Sequence, residues 1–151
     1  KRDLYEGGIR VATTAWWPGK IKSGTISEHI AAGWDLMPTL CELSGTKVPD
    51  GLDGVSFAPT LLGKKNEQEK REFLYWEFHE RGGKQAVRMG KWKGIRLNVR
   101  KDPDSPIELY DLSKDTGEEN NIASRHPQIV KKVESAMKES HVESPIFPFI
   151  K

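Results

Sequence analysis

The sequence predicts an α/β segment over residues 1–63 that is followed by an α+β unit over residues 64–151. Two observations predict this fold class. Residues 9–17 form an almost continuous apolar run, which is typical of a strand buried on both faces of a parallel sheet. After residue 72 the pattern changes to short alternating strands and then to one amphipathic helix, which is typical of a small antiparallel sheet covered by a helix.

The predicted strand at residues 9–17 is rich in β-branched and aromatic side chains and ends at the turn residues Pro18-Gly19. Its apolar character predicts burial, with Trp16 and Trp17 packed in a core. Too few strands follow in the first half of the chain to complete a parallel sheet. We therefore expect the partner strands in a part of the protein outside this chain.

The rest of the first half predicts two helices. Asp35 can cap a helix that Gly45 terminates. The apolar stripe expected to face the core of this helix consists of Leu36, Leu40 and Leu43. A second, short helix is predicted at residues 56–62, and the charged run at residues 63–72 reads as a solvated connector between the two parts.

The second half predicts a four-stranded antiparallel sheet packed by a C-terminal helix. The predicted strands lie at residues 73–79, 85–89, 92–99 and 107–112. The helix is predicted at residues 127–140, because apolar side chains recur there at helical spacing from Ile129 to Met137.

Composition limits the function classes. The chain has 151 residues and a net charge of +2, and its basic residues are scattered, so nothing indicates a partner among nucleic acids or membranes. No apolar run approaches the roughly 20 residues that cross a bilayer. The single Cys41 excludes an internal disulfide, and its helical context between Leu40 and Leu43 favours a structural thiol over a nucleophile.

The first residues are typical of the middle of a larger domain. Lys1 is followed within a few residues by the turn sequence Tyr5-Glu6-Gly7-Gly8 and then directly by the predicted strand. We therefore expect an upstream part of the same polypeptide. A lysine on a loop before a strand is also where a large α/β enzyme would hold an anion-binding group.

Several sequence blocks, taken in order, resemble the sulfatase family of the alkaline-phosphatase-like superfamily. The blocks are Lys1 with Tyr5–Val11, Trp17-Pro18-Gly19, Asp35–Leu40, Asp53–Ser56 with Leu61-Leu62-Gly63, and Glu108–Leu112 with Glu118, Asn121 and Ala123. The likeness covers nearly the whole chain. The chain departs from the family at Ala12, where a proline is usual, and at Asp115-Thr116, where Asp-Pro is usual. Both positions look structural.

The resemblance implies the C-terminal portion of a sulfuric ester hydrolase, often one that acts on sulfated sugars or glycosaminoglycan fragments. Such enzymes oxidise a Cys or Ser within a Cys/Ser-x-Pro-x-Arg motif to formylglycine and orient the sulfate with a calcium ion. Cys41 is followed by Glu42-Leu43-Ser44-Gly45, which is not that motif. Formylglycine and calcium are therefore expected in the missing N-terminal part, no metal ligand is predicted here, and the chain alone is expected to be inactive.

The resemblance also implies site residues and a location. Lys1 matches the family's lysine that contacts the sulfate group, so it is the predicted catalytic contact. His79 and Glu77, on one face of a predicted strand, are candidates for binding a sugar, and Arg81 and Arg88, together with Lys84, are candidates for binding further anionic groups. The competing interpretation is an ordinary polar strand with a solvated edge. The family resemblance alone implies a periplasmic or secreted enzyme.

Two further functions remain open from the sequence. One is a phosphoryl hydrolase of the same superfamily, which the nucleophile and metal ligands of the upstream part would distinguish. The other is a non-catalytic module for anionic sugars, built on the sheet after Phe73.

Overall fold

A computed structural model describes residues 2–149. Their contacts divide them into two compact units. One unit contains residues 2–11 together with residues 72–149, and the other contains Ala12–Arg71. The N-terminal residues therefore belong with the sheet unit, whereas the predicted division at residue 63 into an α/β core and a sheet subdomain stays a prediction.

The described residues contain four α-helices and four strands. The helices are Glu6–Ile9 (α1), Leu36–Ser44 (α2), Ala58–Leu61 (α3) and Pro127–Ser140 (α4), and short 3₁₀ turns lie at Gly33–Asp35, Lys65–Glu67 and Ala123–Arg125. The strands are Leu74–Phe78 (β1), Lys84–Met89 (β2), Trp92–Leu97 (β3) and Ile107–Asp111 (β4). Among these described helices, none combines the length and apolar character needed to span a bilayer.

The four strands form one antiparallel sheet in the order β1-β2-β3-β4. This confirms the predicted four-stranded sheet, and the register pairs Trp76 with Ala86 and Ala86 with Ile95. Consecutive strands joined by short connections pair locally, which explains why period-2 alternation was sufficient to find them.

Helix α4 covers one face of the sheet, as predicted. Val133, Ala136 and Met137 are buried against Val87 and Leu109. Gly94 allows the helix to approach the centre of β3, because a Cβ atom at this position would lie 2.4 Å from Cγ1 of Val133. The missing side chain is therefore a condition for this packing.

The N-terminal residues cover the opposite face. Leu4 is buried with Ala86, Ile95, Tyr110 and Leu112, and Tyr5 and Ile9 pack against the same cluster. Residues 2–11 thus complete the core of the sheet unit, an arrangement that the sequence did not indicate.

The strand predicted at residues 9–17 is wrong. Ile9 ends α1, and residues 10–17 have no regular secondary structure. Val11 and Trp16 are 81% and 85% exposed, so the predicted burial of this run is also wrong within the described chain. A strand must pair its backbone N–H and C=O groups, and none of the described strands pairs with these residues.

Helix α2 was predicted correctly in extent but not in orientation. It ends at Gly45, whose φ of 72° is the left-handed conformation that glycine adopts readily. Leu36 and Leu40 are exposed, whereas Thr39 is buried and its hydroxyl accepts a hydrogen bond of 3.0 Å from the Phe57 N–H. The side of α2 that packs inside its unit is therefore the side that carries Thr39, and not the side that carries Leu36 and Leu40.

Asp35 is the second polar anchor of this unit. Its buried carboxylate pairs with the Arg71 guanidinium at 2.5 and 3.1 Å and accepts the Val55 N–H at 2.9 Å. Asp35 precedes α2 as predicted, but its side chain makes no capping hydrogen bond to the helix, because the carboxylate accepts the Ala32 and Val55 N–H groups and pairs with Arg71 instead.

We expect Gly94→Ala to destabilise the sheet unit by about 1–3 kcal/mol, because the new methyl group overlaps Val133. Urea denaturation followed by circular dichroism measures this. Gly7→Ala is the matched control, since a Cβ at Gly7 meets no atom within 4 Å and the residue lies in α1.

The double variant Gly94→Ala/Val133→Ala should lose less stability than the sum of the two single variants, because the smaller helix residue relieves the overlap. Strict additivity of the two changes would contradict the proposed close approach.

Candidate functional site

The residues next to Lys1 are held at the end of the sheet where β2 begins. The Asp3 carboxylate accepts hydrogen bonds of 2.7 and 2.8 Å from Nζ of Lys84, and Nη1 of Arg81 lies 4.0 Å from it. Burial alone would raise the pKa of Asp3, but the Lys84 hydrogen bond and the Leu4 N–H outweigh it and hold the pKa below its usual value. Asp3 is thus an ionised anchor for the start of the chain.

The neighbouring turn between β1 and β2 makes a second contact with this segment. Arg2 forms an ion pair with Glu80, and both side chains are exposed. Arg81 has an exposed side chain and a φ of 53°. Together, Arg2, Arg81 and Lys84 place three cationic groups around the first described residues; we call this set the cationic rim.

A buried ion network fixes α1 against the sheet. Oε1 of Glu6 lies 2.8 Å from Nζ of Lys93, and Oε2 lies 3.3 Å from Nη1 of Arg88. The Lys93 side chain is 0% exposed and that of Glu6 is 5% exposed, so water does not screen their attraction. Lys93 also lies over the Trp76 ring at 5.6 Å.

Glu118 closes this network. Its Oε2 accepts the Glu6 N–H at 2.5 Å, and its Oε1 lies 3.7 Å from Nζ of Lys93. Burial raises the pKa of Glu118 above its usual value, although the Glu6 N–H and the Lys93 charge oppose the shift. One lysine therefore lies between two carboxyl groups that are 112 residues apart in the sequence.

A third carboxylate fixes the Tyr5 ring. The hydroxyl groups of Tyr5 and Tyr110 donate to Oε2 of Glu108 at 2.5 and 2.9 Å. Burial, followed by the Glu108 charge, raises the pKa of both tyrosines. Both hydroxyls are therefore protonated donors, and Tyr5 adds a specific contact beside the Glu6 network.

Glu77 lies on the opposite face of the sheet, beneath the end of α4. Its Oε1 lies 2.5 Å from Nδ1 of His141 and also accepts a hydrogen bond from the Tyr75 hydroxyl. Nε2 of His141 lies 2.9 Å from Glu143. The hydrogen bond with Glu77 raises the pKa of His141, although burial opposes the shift.

His79 follows β1 and packs against the C-terminal residues. Its ring lies 4.6 Å from Phe147 and 4.9 Å from Phe149, measured between ring centres. Nδ1 of His79 is buried and has no hydrogen-bond partner among the described residues. With Glu80 and Arg100 the ring lines a groove of about 300 Å³.

The structure brings together some of the predicted site residues and separates others. Arg81 lies beside the N-terminal segment, whereas Arg88 already pairs with Glu6, and Glu77 with His141. Lys1 lies outside the described residues. The roles predicted for all five residues stay predictions.

Sequence reasoning did not find the ion network. Lys93, Ile95 and Leu97 are two residues apart along β3 and so share one face. A charged residue on an otherwise apolar face was a sequence signal that could have indicated a buried ion pair. The partners Glu6 and Glu118 are 112 residues apart, and no local pattern connects them.

Within residues 2–149 no group of three or more His, Cys, Asp or Glu side chains is arranged to hold a metal ion. The expected calcium ion and formylglycine stay predictions about a part of the protein outside this chain.

Comparison with known proteins finds relatives that align with most of this chain. The chain is 36% identical to arylsulfatase A of Homo sapiens, with 81% of this chain and 28% of that protein aligned. It is 27% identical to N-acetylglucosamine-6-O-sulfatase of Bacteroides thetaiotaomicron, with 96% of this chain and 28% of that protein aligned. The solved structure of BT4656 in complex with its substrate D-glucosamine-2-N,6-O-disulfate matches with a TM-score of 0.67 and 26% identity, over 82% of this chain and 26% of that one.

The first two of these proteins are sulfatases, which are sulfuric ester hydrolases, and the alignments support a match to the C-terminal portion of such an enzyme. The family model described as "N-sulphoglucosamine sulphohydrolase, C-terminal" matches residues 1–143, and the chain belongs to this family. The chain spans less than a third of the length of the relatives named above.

We expect Lys93→Met to destabilise the sheet unit by about 3–5 kcal/mol, because it leaves Glu6 and Glu118 buried without their shared cation. Urea denaturation measures the change. The control Lys138→Met removes a lysine whose pairing with Glu134 is exposed, and it should cost less than about 1 kcal/mol. Equal losses in the two variants would show that the network does not stabilise the fold.

The His141–Glu77 pair predicts a pH dependence. The pKa of His141 is raised in the folded state, so the pair contributes fully below the unfolded pKa of ~6.5, and this contribution is lost as the pH rises through the folded pKa. Unfolding free energies measured from pH 6 to 9 should fall in the native chain. They should fall less in His141→Asn and in Glu77→Gln, and an unchanged slope in both variants would contradict the pairing.

Proposed function

We propose that this chain is the C-terminal part of a sulfatase that hydrolyses sulfate esters of sugars. In this proposal it supplies Lys1 and the cationic rim to a site whose nucleophile lies upstream in the same polypeptide. One observation carries the proposal: Asp3 and Glu6, the residues that follow Lys1, are fixed to the sheet by buried or half-buried ion pairs. A segment anchored in this way can hold a reactive group in one place.

The substrate class rests on the names of the relatives. An N-acetylglucosamine-6-O-sulfatase and a protein in complex with D-glucosamine-2-N,6-O-disulfate are both similar to this chain over most of its length. The family name also refers to a sulfated glucosamine. A sulfated amino sugar is therefore the substrate that we propose.

The chemistry of the rim suits a sulfate ester. The Lys1 ammonium can neutralise the non-bridging sulfate oxygens or the charge that develops on the leaving oxygen. Arg81 is exposed and lies 4.0 Å from Asp3, so its guanidinium is available to a second anionic group of the sugar. His79 lines the groove with Glu80 and Arg100, and we propose that the part of its ring facing this groove contacts the sugar, whereas its buried Nδ1 does not.

The remaining chemistry is assigned to the upstream part. When present, formylglycine supplies the nucleophile and calcium orients the sulfate. This chain contributes positive charge and the position of the substrate. We also propose that the upstream part makes the protein a periplasmic or secreted enzyme, an inference that rests on the family alone.

The exposed apolar surface of the unit Ala12–Arg71 supports the proposal that an upstream part of the polypeptide packs on it. Large apolar side chains are exposed on it, namely Trp16, Ile26, Leu36, Met37 and Leu40. Exposed apolar surface of this kind is typical of an interface. Since less than a third of each relative named above is aligned, we propose that the upstream part of the polypeptide covers these side chains.

The 151-residue chain should show no turnover of an aryl sulfate or of a 6-O-sulfated glucosamine, whereas the chain expressed with its upstream sequence should hydrolyse both. In that longer protein, Lys1→Ala should lower kcat by about 10²–10³-fold, as expected for the loss of a group that stabilises charge in the transition state. Lys131→Ala, at an exposed position of α4, is the control and should leave kcat unchanged.

Chromogenic and ion-chromatographic assays of released sulfate measure these rates. Turnover by the 151-residue chain above the buffer rate would contradict the proposal that the nucleophile lies in the upstream part. A longer protein that hydrolyses phosphate esters, but not sulfate esters, would overturn the proposed activity in favour of a phosphoryl hydrolase.

A further inference from the structure

A second groove lies at the other end of the sheet from the Asp3–Lys84 contact. It has a volume of about 430 Å³ and is formed where β3 begins, where β4 ends and where α4 begins. Lys84 begins β2 and pairs across the sheet with Leu97 at the end of β3, whereas this groove is lined by Lys91 and Trp92. The groove and the cationic rim therefore lie at opposite ends of β3.

Trp92 and His126 form an aromatic surface in this groove. Their ring centres are 4.9 Å apart, and Nζ of Lys91 lies 4.7 Å from the Trp92 ring. Part of Trp92 packs on the core beneath α4, and the residue remains half-buried. Rings held in this way offer an apolar face for the C–H groups of a sugar, with polar groups beside it.

Two cations of the groove are free to bind a ligand. Lys114 and Arg125 are both exposed, and neither side chain forms an ion pair or hydrogen bond with any residue from 2 to 149. In contrast, Lys84, Arg88, Lys93 and Arg96 all pair with carboxylates and are mostly buried. The charge of Lys114 and Arg125 is therefore not used by the fold.

The acidic residues of the groove are already occupied. Asp111 accepts a 2.8 Å hydrogen bond from Lys91, which with Ser113 holds its pKa at about 2. Asp115 accepts the N–H groups of Asn120 and Glu119 at 2.9 and 3.1 Å, which lowers its pKa. These carboxylates are ionised but are satisfied locally, so Lys114 and Arg125 leave the groove suited to an anion.

We propose that this groove is a binding subsite for a sulfated oligosaccharide, in which a sugar ring packs on Trp92 and His126 while Lys114 and Arg125 bind its sulfate groups. The proposal rests on the proposed function for the choice of a sulfated sugar. The groove would then be a second contact for a long substrate on this chain, in addition to the cationic rim.

The test is binding by the 151-residue chain, measured by isothermal titration calorimetry with a heparin-derived hexasaccharide at low salt. The double variant Lys114→Gln/Arg125→Gln should weaken binding by about tenfold or more, since it removes two charge-assisted contacts. Lys131→Gln/Lys132→Gln is the matched control, because it makes the same change of charge at two exposed positions of α4 outside the groove.

A nuclear magnetic resonance titration identifies the aromatic contact. Of the five tryptophan indole N–H signals, the signal of Trp92 should shift most on adding the hexasaccharide, and inorganic sulfate alone should not reproduce this shift. Equal weakening by the two double variants would show attraction to net charge only and would overturn the subsite. Native affinity in Lys114→Gln/Arg125→Gln would overturn it as well.

These outcomes are separate from those of the proposed activity. Sulfate release by the longer protein tests the enzyme, whereas binding by this chain tests the groove. Turnover with no effect of Lys114→Gln/Arg125→Gln on binding would reject only the subsite, and groove binding without turnover would reject only the activity.

Discussion

The ion pair between Glu6 and Lys93 is the interaction on which the sheet unit depends. Lys93 is fully buried, and the pair at 2.8 Å links α1 to the second residue of β3. Removing two charges from water costs several kcal/mol per ion, and only good geometry and further hydrogen bonds offset this. Arg88 and Glu118 provide them. Since an apolar pair could cover this face without that cost, we infer that the network selects one position for the N-terminal segment.

That position determines what the candidate site can be. With Glu6 fixed, Asp3 reaches Lys84 and Arg2 reaches Glu80, so the start of the chain lies beside the turn between β1 and β2. The position of a reactive group on this N-terminal segment is therefore set by the ion pairs of Asp3 and Glu6, which lie several residues along the chain. The site is thus supported by residues that would not be expected to touch a substrate.

Local patterns predicted the parts of this fold that form locally. The four strands and α4 follow from alternation, short connections and helical spacing, which need only nearby residues. Residues 9–17 satisfied the same rules for a strand, yet no described strand pairs with them. The Leu36 and Leu40 stripe was misleading for a related reason, because Thr39 and Asp35 anchor α2 through partners that are 18 to 36 residues distant.

The ion pairs of each basic side chain show whether its charge is used by the fold or is available to a ligand. They distinguish the basic residues that can contact a substrate from those that cannot, which composition alone does not do. Arg88 is mostly buried and bound to Glu6, so a role in substrate contact would require it to leave the network. Arg81 lies 4.0 Å from Asp3 with its side chain 59% exposed, so it can bind an anion without disturbing the fold. Lys114 and Arg125 have no partner within residues 2–149. Arg81 at one end of the sheet and Lys114 and Arg125 at the other are therefore the cations that can meet an anionic ligand without breaking a short ion pair of the fold, whereas Lys84 beside Arg81 is held by Asp3.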